Sequence, residues 1–317
     1  MKGSYAIDEF KKSPHTKPEN SIYISYSQFS IYSKCPLAWK LKYIDKIKLE
    51  EPSIHTMFGN AMHIVIQEWL RVLFTETVKA ADAMDFSTML LNAMKQCYAE
   101  DVEKYKKLFS NKEELSEFYT DGLEILNFLK KKRLQYIDRA KYELVGTEIP
   151  LLIPPDGKKP KVLLMGFLDV VFREKKNKNK FYILDLKTST KGWSKWDKED
   201  EIKRSQLILY KTFFAKQFGL SADDIEVEFF ILRRKIDSDS MYPTPRIQIF
   251  KPSQGSITQN KVKSMFASFL DNCFVEDGKY NVSGEYRAVC GNNGFNCKFC
   301  DFKDLENLCP SHKRVPK

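Results

Sequence analysis

Two aspartates and a lysine raise the first chemical question. Gly166-Phe167-Leu168-Asp169 is followed, one hairpin later, by Ile183-Leu184-Asp185-Leu186-Lys187. Successive side chains of a strand point to opposite faces, so Asp185 and Lys187 share a face and Leu186 points away. If the two segments pair through the lysine- and asparagine-rich turn at 174 to 180, Asp169 lies near that same face. Hard divalent cations such as Mg²⁺ take oxygen ligands, commonly one or two carboxylates completed by water and substrate phosphate. A cation held there polarises a phosphodiester and activates a bound water, while the ammonium orients that water or stabilises developing negative charge. An isolated Asp-x-Lys is more often a solvated surface pair. Here the carboxylates interrupt apolar runs: Asp185 sits in FYILDLK, and Asp169 is flanked by Leu168, Val170 and Val171. An unpaired charge is costly in such a place, and the cost argues for a use.

The elements that must position these groups follow from periodicity. Residues 1 to 22 are polar and without period, which predicts a flexible leader. Ser25 to Tyr43 reads as helix, kinked or divided at Pro36, and Phe58 to Leu73 as a second helix with Met62, Val65, Ile66, Trp69 and Leu70 as its apolar stripe. A charged block over about 75–140 predicts a helical insertion, broken near Ser110-Asn111. Strands are predicted over Glu143 to Leu152, Lys161 to Phe172 and Phe181 to Leu186, then a helix over 204 to 218 and a strand over Ile225 to Leu232. That order is α/β with a mixed sheet. The expected organisation is a single domain over 23–317, with its α/β core at about 141–235 and a cysteine-rich cap at about 285–317.

Composition bounds the class of partner. The net charge of +10 favours an anionic ligand, because clustered Lys and Arg release counterions when they neutralise phosphates, although many basic proteins bind no nucleic acid. The N-terminal stretch lacks a signal peptide's apolar core, and no run reaches the roughly 20 apolar residues that span a bilayer. The expectation is a cytoplasmic protein without membrane contact. In a reducing compartment the seven cysteines are better read as metal or cluster ligands than as disulfides.

Further motifs fall in a definite order along the chain: Cys35-Pro36, then Gly59-Asn60-Ala61-Met62-His63, Glu148, Gly166 to Asp169, Asp185-Leu186-Lys187, and Gln206-Leu207-Ile208-Leu209-Tyr210. That order resembles the RecB-like branch of the PD-(D/E)XK nucleases, of which the AddB nuclease domain and the CRISPR-associated RecB-like exonucleases are examples. The resemblance spans residues 25 to 309. It implies a restriction-endonuclease-like core, a mixed central sheet flanked by helices, a helical insertion and a C-terminal cysteine-bound cap. It also implies that His63, Asp169, Asp185 and the Leu186 backbone carbonyl bind Mg²⁺ or Mn²⁺, with Glu148 a further candidate. Lys187 then serves the attacking water, and Gln206 and Tyr210 hold substrate or order the lysine. Read on their own, His63 is a hydrogen-bonded core histidine and Gln206 and Tyr210 are packing residues one helical turn apart.

Cys297-Lys298-Phe299-Cys300 places two thiols on one tight turn, which suits zinc or an iron-sulfur cluster equally. The resemblance implies a 4Fe-4S cluster held by Cys35, Cys297, Cys300 and Cys309. The Cys300 to Cys309 interval departs from the family pattern, so a local zinc site that uses Cys290 in place of Cys35 stays open. Cys97 and Cys273 read as small core residues.

The substrate implied is DNA, single-stranded or with free ends, cut by exonuclease action in recombination, repair or CRISPR and phage DNA processing. Lys130, Lys131, Lys132 and Arg133 beside Tyr136 offer cations and an aromatic for such a strand, and Trp193 and Trp196 are candidates for contact with a strand end. The alternatives are a nuclease subunit partnered by a separate helicase or recombination protein, and a non-catalytic nucleic-acid-binding relative.

Overall fold

The computed structural model describes residues 4–15, 18–155, 159–237, 241–242, 244–275 and 278–316. Two short strands, β1 (Tyr5–Ala6) and β2 (Ile22–Ile24), precede α1 (Tyr26–Lys34) and α2 (Pro36–Tyr43). A helical block follows: α3 (Ile54–Thr75), α4 (Val78–Ala83), α5 (Phe86–Tyr105), α6 (Lys112–Lys131) and α7 (Arg133–Tyr136). The meander β3 (Tyr142–Ile153), β4 (Val162–Glu174) and β5 (Phe181–Ser189) leads through α8 (Lys195–Glu199) and α9 (Glu201–Phe218) to β6 (Ile225–Arg233), β7 (Ile247–Phe250) and α10 (Ser256–Cys273).

Local sequence accounts for the boundaries. Ser25 caps α1 by accepting from Gln28 N, and Pro36 at the first turn of α2 divides the two helices at Cys35. Asn111 caps α6 through Glu114 N, at the break expected from the sequence. Ser53 accepts from His55 N to start α3, and the apolar stripe of that helix is buried from Ile54 to Leu73.

The seven strands form one mixed sheet in the order β1-β3-β4-β5-β6-β7, with β2 parallel to the start of β4. β5 and β6 are parallel and joined through α9, whereas β3, β4 and β5 are antiparallel. Helices cover both faces, which is why β5 and β6 are apolar almost throughout. One core lies between the sheet and α1, α9 and α10; the other lies between the sheet and α3, α5 and α6. A third, small cluster ties Ala38 and Leu41 of α2 to Ala288, Phe302 and Cys309 near the C-terminus. Among the described residues no helix is long and apolar enough to cross a membrane.

The leader departs from expectation, apart from residues 1–3 and 16–17, which lie outside the described residues. Tyr5 and Ala6 pair with Thr147 and Gly146, and Phe10 is buried against Phe181, Phe214 and Phe218. A two-residue strand and one buried ring generate no period, so patterning alone does not reveal them. Gly146 is required there, because a Cβ on it would meet Tyr5 O at 2.6 Å. β7 and α10 extend the fold past residue 235, where the sequence reading ends the core.

Candidate active site at the fork of the sheet

The two aspartates meet where strands separate. β5 pairs with β4 only between Phe181–Leu184 and Val170–Arg173. β2 occupies the same edge of β4 at Val162–Leu164, since β3 already fills the other edge at Leu164. The segment from Met165 to Asp169 is therefore left without a strand partner on that edge among the described residues. At the mouth of this gap the Asp169 carboxylate replaces the missing ladder bond, its Oδ2 accepting from Leu186 N at 2.7 Å.

α3 brings the imidazole. A Cβ on Gly59 would lie 3.3 Å from Thr188 Oγ1, so glycine lets this helix lie close to the end of β5. One turn on and on the same helix face, His63 Nε2 is 2.9 Å from Leu186 O and Nδ1 is 3.6 Å from Asp169 Oδ1. A carbonyl can only accept, which assigns a proton to Nε2 and leaves Nδ1 facing the carboxylate. A further turn on, the buried Gln67 donates Nε2 to Glu148 Oε1 at 2.8 Å and to Asp169 O at 3.2 Å. Gln67 is not anticipated from sequence; its signal is an amide on an apolar stripe four residues from the histidine.

Glu148 stands opposite Asp169 in the β3–β4 ladder but drops out of it: Thr147 pairs with Val170 and Ile149 with Leu168. Its φ of 53° is left-handed, a conformation that costs a non-glycine residue of order 1 kcal/mol and that clusters at functional positions. Ligand atoms of His63, Glu148 and Asp169 all lie within 4.8 Å of one another. Donors that share one ion at about 2.0–2.6 Å can be no farther apart than roughly twice that distance, so the triad has the spacing of a cation site.

Asp185 and Lys187 do share a face. Asp185 is 2% exposed, and its Oδ2 meets Lys187 Nζ at 2.6 Å, with no other hydrogen-bond partner among the described residues. A buried carboxylate oxygen with spare lone pairs beside the triad also suits a cation. Burial lifts the Asp169 carboxyl to about 6; the Asp185 charge adds to this, while His63, Lys187 and the Leu186 N–H oppose it. Burial pulls the Lys187 ammonium down, but Asp185 and Asp169 more than offset that and leave it above its ordinary value.

α9 supplies the remaining pair. Its start is capped by Asp200, which accepts from Ile202 N and Lys203 N, and Gln206 Nε2 donates to Tyr210 Oη at 3.2 Å. The Tyr210 ring reaches the open segment of β4: a Cβ on Gly166 would touch it at 3.7 Å. Burial, with the nearby Asp185 charge, raises the Tyr210 phenol and keeps it protonated. Tyr26 of α1, not anticipated from sequence, donates Oη to Ile202 O at 2.6 Å and feels the same Asp185 charge.

The basic and aromatic candidates fall elsewhere. Arg133 pairs with Asp82 at 2.9 Å, Tyr136 packs edge-on against Phe230, and Lys130 lies over the Phe86 ring, while Lys131 and Lys132 are exposed. Trp193 is packed against Phe229 and Phe250, and its backbone is held at both ends by the Gln248 amide. Trp196 is 79% exposed.

The cysteines converge at the far end of the chain. Cys35, Cys297, Cys300 and Cys309 line one enclosed space together with Arg314. Leu37 N donates to Arg287 O, Val289 N to Cys35 Sγ and Asn296 Nδ2 to Lys34 O, which fastens the α1–α2 junction to the cap. Cys290 Sγ is turned to Val315 O at 3.2 Å. Among the described residues no three of these sulfurs lie within 4.8 Å of one another. Burial and the neighbouring cysteines raise the Cys297 and Cys300 thiols, with Arg314 opposing at Cys297. Cys97 and Cys273 are buried.

The family described as the PD-(D/E)XK nuclease superfamily matches the chain over residues 23–309. No curated protein matches it.

Proposed function

Because the chain belongs to the PD-(D/E)XK nuclease superfamily, we propose that it is a divalent-cation-dependent deoxyribonuclease that digests single-stranded DNA from free ends. The observation that carries this reading is the meeting of His63, Glu148 and Asp169 beside the buried Asp185 and its ion-pair partner Lys187 at the fork of the sheet. His63, Asp169, Asp185 and the Leu186 carbonyl would hold Mg²⁺ or Mn²⁺, with Glu148 closing the shell. When bound, such a cation polarises the scissile phosphodiester and lowers the pKa of the attacking water. Lys187 keeps its proton at Nζ and presents positive charge where the phosphate becomes more negative. Gln206 fixes the Tyr210 hydroxyl, which stays a donor toward substrate oxygen. Leu184 and Leu186, packed under α3, exclude water from behind the strand.

The cap is read as the holder of a 4Fe-4S cluster ligated by Cys35, Cys297, Cys300 and Cys309. What supports the reading is that Cys35, from the α1–α2 junction, lines one space with Cys297, Cys300 and Cys309. Cys290 bonds Val315 O and does not line the shared space, but it lies near enough to Cys297 to raise that thiol, so it is the alternative ligand.

The test is digestion of DNA labelled at either the 5′ or the 3′ end, single- and double-stranded, with Mg²⁺, with Mn²⁺ and with EDTA. Cation-dependent release of short labelled products from one end of single strands is expected. Cuts at internal positions would replace exonuclease by endonuclease action, and no cleavage with either cation would overturn the enzymatic reading.

A further inference from the structure

Beyond Asp169 the sheet is open. On the α3 side the helix covers Leu144, Val170, Phe172, Leu184 and Leu186, but Phe167 and Met165 are 49% and 42% exposed. β4 is paired with β3 along this stretch, while its other edge is open between β2 and β5, so Met165 and Phe167 border the gap in the sheet. Strand alternation puts both side chains on one face, opposite Leu164 and Leu168, which are buried in the other core. Two large apolar side chains exposed side by side at this gap are the kind of apolar exposure that marks a contact surface.

Phe167 lines a groove of 530 Å³ together with Pro150, Lys11, Lys12 and Glu148. Glu148 also belongs to the cation-site triad, so groove and candidate active site are continuous. Lys11 is tied to Asp8 at 2.6 Å, whereas Lys12 is exposed and has no ion-pair partner among the described residues. Other lysine-rich segments are partly neutralised, Lys106 by Glu103, Lys107 by Glu51, and Arg173 and Lys178 by sharing Glu143, while Lys131 and Lys132 stay exposed away from the site.

We propose that this groove seats the nucleotide next to the scissile phosphate of a single DNA strand, its base stacked on Phe167 and its backbone met by Lys12. The inference rests on the nuclease reading and adds the path of the substrate to it. Phe167 precedes Asp169 by two residues, about 6.6 Å along the strand, so the stacked base belongs to a nucleotide adjoining the reacting phosphate. A base presents a flat π-face whatever its identity, so one aromatic platform serves any sequence, as an end-digesting enzyme requires. A duplex has its bases stacked and paired within the helix, so the seat selects single strands.

The test is fluorescence anisotropy of a labelled twelve-nucleotide oligo-dT with the full chain in Ca²⁺, paired with kcat and KM for its cleavage in Mg²⁺. Phe167→Ala is expected to weaken binding roughly tenfold, in the range of one lost base stack, and to raise KM alike with kcat within about twofold. Phe167→Trp restores both. Lys12→Ala weakens binding less and flattens its salt dependence by about one phosphate contact. Phe299→Ala, an exposed ring on the cap, changes neither. Unaltered binding by Phe167→Ala, with the wild type cutting DNA, overturns the groove and leaves the nuclease reading intact. The same result with Phe167→Ala changing the oligomeric state assigns the face to a second copy and overturns the proposal. A wild type that binds through Phe167 but cuts nothing keeps the groove and overturns the nuclease reading.

Discussion

The residues at the fork carry costs that a bound cation would offset. Glu148 occupies left-handed backbone that glycine adopts freely. Glu148→Gly relieves that backbone but takes an acceptor from the buried Gln67 amide, so stability is expected to change by no more than about 1 kcal/mol either way, while Mn²⁺ binding weakens at least tenfold by calorimetry. A fall in stability with Mn²⁺ affinity intact would show the carboxylate to be structural. Asp169 carries a second cost. Its carboxyl titrates near 3.8 unfolded and at about 6 in the fold, so the folded protein holds that proton more tightly. The group's contribution to stability is full below about pH 4 and is lost as pH rises through about 6. In EDTA, denaturant melts of Asp169→Asn and wild type should diverge over that window in favour of asparagine, by on the order of 1–3 kcal/mol. Saturating Mn²⁺ at neutral pH should close the gap, and a gap independent of pH would contradict the account. The two acids and the lysine are legible in sequence because charges inside FYILDLK and beside Leu168 demand explanation. Gln67 and Tyr26 are not, because an amide and a phenol on helices usually mean packing.

At the scale of elements, the site depends on how closely α3 approaches β5. Gly59 permits that approach, and the Thr188 hydroxyl is what a larger residue would meet. Gly59→Val should cost roughly 1–3 kcal/mol and lower kcat by moving His63 from Leu186 O. Thr188→Ala in the same chain should recover part of both losses, and purely additive effects in the double-mutant cycle would show that the two do not touch. The three strands of the meander, α3 and α9 are legible because each repeats its period over enough residues to be read. β1, β2 and β7 are two to four residues long, and their pairing depends on partners far along the chain. The fork itself is not legible from sequence, since it arises from β2 and β5 sharing one edge of β4 at different heights.

For the molecule as a whole, the cap joins the ends of the fold: Cys35 sits between α1 and α2, and the three cysteines that line the same space lie past residue 296. Cys35→Ser should lower iron and acid-labile sulfide, bleach the broad visible absorbance of a cluster and reduce the melting temperature by several degrees. Unchanged iron and melting would return the cap to a site built without Cys35. The central claim is that the fork hydrolyses DNA, and its most direct test is cation-dependent cleavage of single-stranded DNA by the wild type, by Asp185→Asn and by Lys187→Met, each checked for folding by circular dichroism. Each substitution removes one partner of an ion pair whose carboxylate is buried, so the melts matter as much as the rates. The account predicts that folded variants lose at least a hundredfold in kcat with DNA binding in Ca²⁺ retained; cleavage by either variant at the wild-type rate would contradict it.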